Sequence, residues 1–497
     1  MKEVIINSKT EQNRILSLAV AILLTVILAS CNRDKSAIGN MDNPNEEVNE
    51  WILENMQIYY LWEAYLPSRT DKTLSPPDYF ESILYRPVDR FSWIQENFLE
   101  LLNSLSGVST EAGYDYNLLR MSQSSSEVIA YITYIKPGTP AEAAGLKRGS
   151  FFHKINGEQI TIENYSSLTQ QTSKYHTLGI SEISGNTITG VKNVTLDIIE
   201  NYPENPILLD TIYNIQNKKI AYFVYNFFAR DRGDGSVSYE KELNDLFYRF
   251  KSEQIDELIV DLRYNSGGAV ITTEALASMI SGQSEDKIFY MEEYNQLVSN
   301  ELKRIYGEDY NKTKFIKNIE RYNGSGQVIE SIPINSLSGL STLYCIVSRR
   351  SASASELLIN GLRPYMNVVL TGETTYGKNV GSITIYEEDP VKQKNNKWGM
   401  QPIVLKISNA NNFSEYGEGF APDREIYEHD TDIIRQLGDT EELLLHATIN
   451  KIFGTEEDVM PKTKHAGSQA SFIGSSIDKT PARQNQYITP KKLRGKK

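Results

Sequence analysis

Residues 343–371 decide the fold, and they read LYCIVSRRSASASELLINGLRPYMNVVLT. The apolar run at 343–348 predicts a buried strand, 354–365 predict a helix, and 368–371 predict a second strand. Because two strands joined through a helix usually run parallel in one sheet, the stretch predicts an α/β unit. A serine-rich turn lies between the first strand and the start of the helix.

The same alternation of strand and helix occurs earlier in the chain. Strands are predicted at 220–228 and 255–262, and helices at 238–253 and 272–280. A closing helix is predicted at 430–453. This order indicates an α/β core with a largely parallel sheet and helices over it.

The length of 497 residues exceeds one ordinary core, so several domains are expected. An apolar period near 3.6 predicts a small helical module near the N-terminus, and short strands with turns predict a β-rich domain after it. The polar stretch at 281–336 is predicted to form an insertion or lid, and the polar C-terminal end is predicted to be disordered. The predicted divisions are 1–31 (signal peptide), 32–45 (tether), 46–104 (helical module), 105–202 (β-rich domain), 203–453 (core) and 454–497 (disordered tail).

The composition argues against several classes of function. A net charge of −13 argues against nucleic acid as a partner, because a phosphate backbone needs a basic face. The five histidines are scattered, with no HExxH pair and no Cys/His cluster, so no metal site and no cofactor are predicted. Cys345 lies in an apolar run and is expected to be a buried, inert thiol.

The N-terminal sequence predicts export. A stretch with basic residues precedes the apolar residues 15–29, a length typical of a signal peptide and short for a spanning helix. The following Leu28-Ala29-Ser30-Cys31 resembles a bacterial lipobox, which implies that Cys31 is lipidated and becomes the mature N-terminus. The alternative is an uncleaved anchor helix with an incidental cysteine. A lipoprotein implies a cell-envelope location, at the outer membrane facing the periplasm, with a lipid anchor through Cys31.

The β-rich domain contains a recognisable run. Residues 136–149 read KPGTPAEAAGLKRG and 151–157 read FFHKING: a Pro/Gly turn, a one-turn helix and an Asn-Gly hairpin. The run resembles a PDZ domain, whose fold binds an extended peptide as an added strand. The candidate loop for a peptide's terminal carboxylate is 113–119. Its predicted peptide-binding residues are Gly113, Tyr114, Asp115 and Tyr116.

Three short segments of the core carry groups suited to chemistry. RSASASE at 350–356 places serines at a helix start, where N–H groups and the helix dipole stabilise negative charge, although such a turn is usually only a helix cap. DLRYNSGG at 261–268 ends in adjacent glycines, whose N–H groups can point into a cleft. GETTYGK at 372–378 places a lysine on a glycine turn, where desolvation would lower its pKa toward that of a useful base.

Together these segments resemble the motifs of the C-terminal processing, or tail-specific, serine protease family, and GFAPD at 419–423 resembles a fourth motif. In that family the nucleophile precedes the lysine by 25 positions, which selects Ser353 and Lys378 here. The resemblance implies a crotonase/ClpP-like core. It also implies protein or peptide substrates with free C-termini.

The same resemblance assigns roles within the site. Ser353 would be the nucleophile and Lys378 its general base. The implied oxyanion hole consists of the backbone N–H groups of Ala354, Gly267 and Gly268. Many family members carry a glutamine four residues after the lysine, where this chain has Ser382. A hydroxyl reaches less far than an amide, and Ser382 is the weaker candidate for orienting the lysine.

Two other functions share parts of the pattern. A pseudoprotease would hold peptide without cleaving it; Ser382 and Asn379, which replaces the usual glycine, favour it, whereas intact Ser353 and Lys378 argue against it. An acyl-CoA enzyme of the crotonase type would share glycine-rich oxyanion turns, but the export signal and the PDZ-like run argue against it. The oligomeric state stays open.

Overall fold

The computed structural model of the chain describes residues 44–122, 124–184, 187–233, 237–323, 327–431, 433–455 and 471–479. The predicted signal peptide, the predicted lipidation site at Cys31 and most of the predicted tether lie outside these ranges. Within them, no helix is both long enough and apolar enough to cross a bilayer.

A helical module opens the described part of the chain. Its elements are α1 (Pro44–Tyr59), a 3₁₀ turn (Glu63–Tyr65), α2 (Pro76–Ile83), β1 (Trp93–Gln95) and α3 (Phe98–Leu105). Val48, Ile52 and Met56 recur one turn apart on α1 and are buried against α2. Met400 of the core lies in the same cluster, so the module is packed onto the core.

A β-rich domain follows. Its elements are β2 (Val108–Glu111), β3 (Tyr114–Arg120), β4 (Val128–Ile135), α4 (Pro140–Ala143), β5 (Phe151–Ile155), β6 (Glu158–Gln159), α5 (Tyr165–Gln170), a 3₁₀ turn (Gln171–Ser173), β7 (His176–Ser184), β8 (Thr187–Leu196) and β9 (Ile199–Pro203). An antiparallel sheet runs in the order β3-β4-β5-β7-β8, with β6 beside β5, and β2 pairs with β9. Tyr114, Tyr116 and Leu118 alternate along β3 and fill the core of this domain.

The three motifs at 261–268, 350–356 and 372–378 all lie in the third region. Its elements are β10 (Ile207–Ile215), β11 (Lys218–Tyr225), α6 (Tyr239–Ser252), β12 (Glu257–Asp261), α7 (Val270–Ser281), β13 (Ile288–Tyr294), α8 (Gln296–Tyr306), β14 (Lys312–Lys314), β15 (Asn318–Tyr322), β16 (Val328–Pro333), β17 (Thr342–Val347), α9 (Ala354–Leu362), β18 (Asn367–Gly372), β19 (Val380–Ser382), β20 (Ile385–Tyr386), a 3₁₀ turn (Lys392–Lys394), β21 (Gly399–Gln401), β22 (Ile403–Asn409), β23 (Arg424–Glu425), α10 (Leu443–Phe453), β24 (Ser471–Ser475) and a 3₁₀ turn (Ser476–Lys479).

The main sheet of this region has the order β10-β11-β12-β17-β18-β23. β10 joins antiparallel to β11, and every later neighbour is parallel, as the alternation of strand and helix predicted. Helices α6, α7 and α9 bury their apolar residues against one face, and α10 covers the other. Residues on β12 such as Leu258 and Val260 face the first cluster, whereas Ile259 faces the second.

The predicted insertion at 281–336 is integrated into the core. β13 pairs antiparallel with β22 and β14, so this segment builds a second sheet in the order β14-β13-β22-β19. Phe289, Phe315 and Ile319 join the main apolar cluster. As an insertion, the segment is anchored on the core by a few buried aromatic residues, although it is otherwise polar.

Two predictions about the C-terminal part are corrected. The closing helix begins at Leu443, and not at residue 430, because the Glu442 side chain caps it by accepting the Leu445 N–H at 3.0 Å. The predicted disordered tail contains β24 and the turn after it, which pair with and pack on other elements. Residues 456–470 and 480–497 of that tail lie outside the described ranges.

Candidate active site

Three neighbouring parallel strands end at one edge of the main sheet, and each leads into a sequence motif. β12 leads into 261–268, β17 into 348–353 and β18 into 372–378. Carboxyl ends of parallel strands share one edge, so the motifs converge. The Ala352 N–H donates to the Asn265 carbonyl at 3.1 Å, and the Tyr376 N–H donates to the Ser351 carbonyl at 3.0 Å.

Ser353 stands immediately before α9 and has a strained backbone. Its φ of 61° and ψ of −110° lie outside the regions that residues other than glycine usually adopt. Such a conformation costs about 1–3 kcal/mol and persists only where the surroundings enforce it. Its side chain is fully buried. A strained serine on a strand-to-helix turn is an arrangement that hydrolases use for a nucleophile.

The Gly267–Gly268 turn lies directly against Ser353. A Cβ on Gly267 would stand 2.8 Å from Ser353 Cβ, and one on Gly268 would stand 2.1 Å from the Phe228 carbonyl oxygen. Only glycine fits this approach. In this conformation the Gly267 N–H donates to Asn265 Oδ1 at 2.9 Å, and it could bind an oxyanion only by exchanging this hydrogen bond. The proposed oxyanion hole therefore rests on the other two predicted donors, the backbone N–H groups of Gly268 and Ala354.

Glu356, in the first turn of α9, ties the two predicted catalytic residues together. Its buried carboxylate accepts the Ser353 N–H at 2.9 Å and the Lys378 N–H at 2.8 Å. It also accepts the Gly377 N–H at 2.7 Å and the Thr375 hydroxyl at 2.6 Å. Burial raises the pKa of Glu356, while these hydrogen bonds act to lower it. This one carboxylate therefore fixes the distance between the loop that carries Ser353 and the loop that carries Lys378.

Lys378 is fully buried. Burial lowers its pKa to about 7, while the negative charges of Asp89 and Glu356 act in the opposite direction. A lysine with this pKa is neutral in a substantial fraction of molecules at neutral pH, so it can accept a proton. The sequence prediction of a sheltered lysine at this position agrees with this burial.

The helical module supplies the cover of Lys378. The ring of Phe91 lies 4.9 Å from the Lys378 ammonium nitrogen, and Arg90 donates to the Gly377 carbonyl at 2.7 Å. Asp89, in the same segment, is buried. Ser353 and Lys378 are both fully buried in this conformation, and Phe91 and Arg90 form part of the surroundings of the lysine.

Ser382, the predicted orienting residue, is buried on β19. Its hydroxyl donates to Gln401 Oε1 at 2.6 Å, and Gln401 Nε2 donates to the Thr384 hydroxyl at 2.6 Å. Since its proton is directed at Gln401, the Ser382 oxygen presents its lone pairs as an acceptor. A glutamine side chain therefore does lie beside position 382, but it belongs to Gln401 on β21.

A buried ionic network holds the glycine-turn motif against the β-rich domain. Arg263 bonds Asp261 at 2.8 Å, Glu442 at 2.7 Å and Glu428 at 3.1 Å, and Arg148 of the β-rich domain bonds Glu428 at 2.6 Å. Burial alone would raise the pKa of Glu428, but Arg148 and Arg263 outweigh it and lower the pKa to about 2. Removing one member would leave buried charge unpaired.

The predicted peptide-binding residues lie at the start of β3. The side chains of Tyr114 and Tyr116 are buried in the core of the β-rich domain, so any contact of these two residues with a peptide would use their backbone groups. Gly113 has a positive φ, and a Cβ there would collide with Thr139 at 2.1 Å. Asp115 points away from that core. What these residues can still offer a peptide is backbone.

Three acidic side chains, one from this loop and two from neighbouring segments, surround Lys136. Lys136 pairs with Asp115 at 3.3 Å, with Glu111 at 2.6 Å and with Glu204 at 2.9 Å. One ammonium among three carboxylates leaves a negative surplus, which opposes a free terminal carboxylate. The charges therefore favour strand addition over carboxylate capture at this loop.

Several site residues were missed by the sequence analysis. They are Glu356, Asp89, Phe91 and Gln401. Glu356 had a local signal, because a serine followed three positions later by glutamate is a capping-box pattern. The others carry no local signal, since they approach the site from distant segments. Among the described residues, no group of three or more His, Cys, Asp or Glu side chains is placed to hold a metal ion.

A buried serine at a helix start, a glycine turn against it and a lysine with a lowered pKa define the class of serine hydrolases on an α/β core. A family model described as Peptidase family S41 matches residues 219–426. A second, described as Peptidase S41 N-terminal domain, matches residues 47–93, and together they cover just over half of the chain. The chain therefore belongs to peptidase family S41 and is a serine-type peptidase.

Relatives and a solved structure agree with this family. Carboxyl-terminal-processing peptidase 3, chloroplastic, of Arabidopsis thaliana is 21% identical over 77% of this chain and 72% of its own. The carboxyl-terminal-processing protease of Picosynechococcus sp. is 24% identical over 62% of this chain and 66% of its own. A crystal structure of an S41 protease from Bacteroides fragilis NCTC 9343 has a TM-score of 0.62 at 24% identity, covering 86% of this chain and 100% of that one. This last likeness shows the shared fold.

Replacing Glu356 should uncouple the two catalytic loops. In Glu356→Gln the side-chain amide would face two of the four donors, and each unsatisfied buried N–H costs about 1–3 kcal/mol. We expect kcat/KM on a peptide substrate to fall about 100-fold, because a small displacement of reacting groups has an effect of this size. The matched control is Glu373→Gln on the same loop as Lys378, whose carboxylate pairs with Arg349. Wild-type turnover in Glu356→Gln would contradict the tethering role.

The charge of Asp89 should be visible in the pH profile. Asp89 raises the pKa of Lys378, so Asp89→Asn should lower that pKa and move the rising limb of kcat/KM to lower pH. The measurement is the pH dependence of kcat/KM for the wild type and the variant. Asp71→Asn, at an exposed position of the same module, is the control. An unmoved limb, or one displaced to higher pH, would show that Asp89 does not act on the base.

Proposed function

We propose that the chain is a serine endopeptidase that cleaves proteins or peptides near their C-termini, with Ser353 as nucleophile and Lys378 as general base. The observation that carries this proposal is the Glu356 carboxylate, which holds the backbone of both residues while burial brings the lysine pKa to about 7. The preference for C-termini is supported by relatives that are named carboxyl-terminal-processing proteases.

In the proposed reaction, neutral Lys378 accepts the proton of Ser353 Oγ as that oxygen attacks the scissile carbonyl carbon. The charge that develops on the carbonyl oxygen would be held by the N–H groups of Gly268 and Ala354, each contributing about 3–4 kcal/mol. When the tetrahedral intermediate collapses, the lysine ammonium gives its proton to the leaving amine. Water then attacks the Ser353 ester with Lys378 again as base, releasing the carboxyl product and restoring the serine.

Ser382 is proposed to orient the lysine. Its hydroxyl proton is directed at Gln401, which supports a role as acceptor for the Lys378 side chain. Gln401 would be the positioning residue behind it, taking over part of the role of the glutamine that Ser382 replaces in sequence.

Substrate docking is proposed to use the β-rich domain in the manner of a PDZ domain. The sequence pattern at 136–157 supports this assignment, and β3 has the edge to which an extended peptide could add as a strand. We further propose that the enzyme is a lipid-anchored protein of the cell envelope, a proposal that rests on the sequence of residues 15–31.

The competing function, peptide binding without cleavage, is less well supported. A pseudoprotease has no need for a lysine whose pKa lies near 7, or for a strained serine beside two glycines. An acyl-CoA enzyme is not supported by the family match.

The dyad is tested with a fluorophosphonate probe, which esterifies an activated serine and loses fluoride. We expect a single adduct, mapped to Ser353 by peptide mass spectrometry, and no adduct in Ser353→Ala or Lys378→Ala. Hydrolysis of a peptide substrate should fall by at least about 10⁴-fold in both variants.

The matched control is Ser355→Ala, because Ser355 lies in the same turn but donates to the Asn265 carbonyl at 2.9 Å. It should keep the adduct. Labelling of another serine, or undiminished labelling in Ser353→Ala, would overturn the assignment.

A further inference from the structure

The outer edge of β3 is covered by the chain's own C-terminal segment, residues 471–479, which we term the tail segment. Its strand β24 pairs antiparallel with β3, with Ser471 opposite Arg120 and Ser475 opposite Asn117. The direction of β24 takes the chain toward the loop at Gly113. An extended peptide that added to β3 would have to occupy this same edge.

The end of the tail segment is fastened at the loop predicted to hold a substrate's terminus. Ser476 Oγ accepts the Tyr116 N–H at 3.0 Å and donates to Asp115 Oδ1 at 2.6 Å. The following Ile477 is buried beside Tyr134. A neutral hydroxyl satisfies both the backbone donor and the acidic side chain, whereas a carboxylate would satisfy only the donor.

The tail segment also touches the catalytic loops. The ring of Phe472 lies 4.7 Å from the Arg349 guanidinium and 4.9 Å from that of Arg350, just before the serine-rich turn. Ile477 clusters with Tyr264 of the glycine-turn motif. Occupancy of the β3 edge is therefore connected physically to two of the three loops that converge at the candidate active site, those at 261–268 and 348–353.

The burial of the tail segment suits a displaceable ligand better than a permanent core strand. Ser471 is exposed and Phe472, Ile473 and Ser476 are partly buried, whereas only Gly474, Ser475 and Ile477 are buried. The strand β4, the other neighbour of β3, is buried almost throughout. Backbone pairing and a few side-chain contacts hold the segment. Such contacts can be exchanged for those of another extended chain.

We propose that the tail segment is a built-in ligand of the β3 edge, which the extended segment of a substrate must displace before cleavage. This inference rests on the proposed docking of substrate at β3. A tethered ligand acts at an effective concentration that can reach the millimolar range, so it would exclude weak or scarce peptides. The enzyme would then act on chains that present a long extended segment at high local concentration.

The first test measures binding of a fluorescent peptide of residues 468–479 by anisotropy, in the Ser353→Ala background so that the probe is not cleaved. The chain ending at Ala470 should bind this probe at least about tenfold more tightly than the matched chain ending at Lys479, which retains the tail segment. Equal affinity of the two chains, or no binding to the shorter one, would overturn the proposal.

The second test keeps the whole chain and locks the tail segment in place. Arg120→Cys and Ser471→Cys replace opposed residues of an antiparallel pair, whose Cα separation allows a disulfide. Cys31→Ser removes one of the two native cysteines, and the other, Cys345, is buried. The oxidised protein should lose probe binding and peptide hydrolysis at least tenfold, and dithiothreitol should restore both.

Failure of this inference differs from failure of the proposed function. Equal probe binding by the oxidised and reduced forms would overturn the built-in ligand, whatever the activity. Redox-dependent probe binding without any hydrolysis, even in the reduced form with Ser353 intact, would support the built-in ligand and contradict the peptidase proposal.

Discussion

The carboxylate of Glu356 bonds the backbone of Ser353 and the backbone of Lys378 at once, and the candidate active site depends on this arrangement. A buried carboxylate is unfavourable unless hydrogen bonds compensate for its lost hydration. Here four donors converge on it because β17 and β18 are adjacent parallel strands, so the loops after them reach the same point. The order of strands in the sheet thus brings the loops after β17 and β18 together, and Glu356 fixes the distance between them.

The base depends on a contact between two distant parts of the chain. Lys378 follows β18 of the core, but the ring that covers it belongs to Phe91 of the helical module. The module is held there because β1 pairs with β21 and because Arg90 bonds the Gly377 carbonyl. Burial lowers the pKa of the lysine, and this contact forms part of its buried surroundings. The proposed displacement of the tail segment would add a second level of control, at the β3 edge.

The sequence predicted what local pattern determines. The alternation of apolar runs predicted the parallel strands. The resemblance to the tail-specific proteases, through the spacing of their serine and lysine, implied Ser353 and Lys378, whose loops the structure bonds to one carboxylate. Glycine at 267 and 268 was recognisable because no side chain fits there. These features depend on residues that are close together in the sequence.

The features that the sequence did not predict arise from pairing between distant segments. The tail was predicted to be disordered from its polar composition, yet β24 is held mainly by backbone pairing, which needs few apolar side chains. Gln401 stands near Ser382 because β19 and β21 are brought together by the fold. Tyr114 and Tyr116 were assigned to a binding loop, but strand alternation turns both side chains into the core of the β-rich domain.

If Lys378 acts as a neutral base at physiological pH, the titration of its own side chain must show a lowered pKa. In protein labelled with ¹³C at the lysine Cε, the Lys378 resonance can be assigned by its loss in Lys378→Arg and followed from pH 5 to 11. The titration of the Lys378 resonance is expected to have its midpoint at a pH of about 7. A midpoint near the ordinary lysine value of about 10.4 would contradict it, because the amine would then be protonated when the enzyme works.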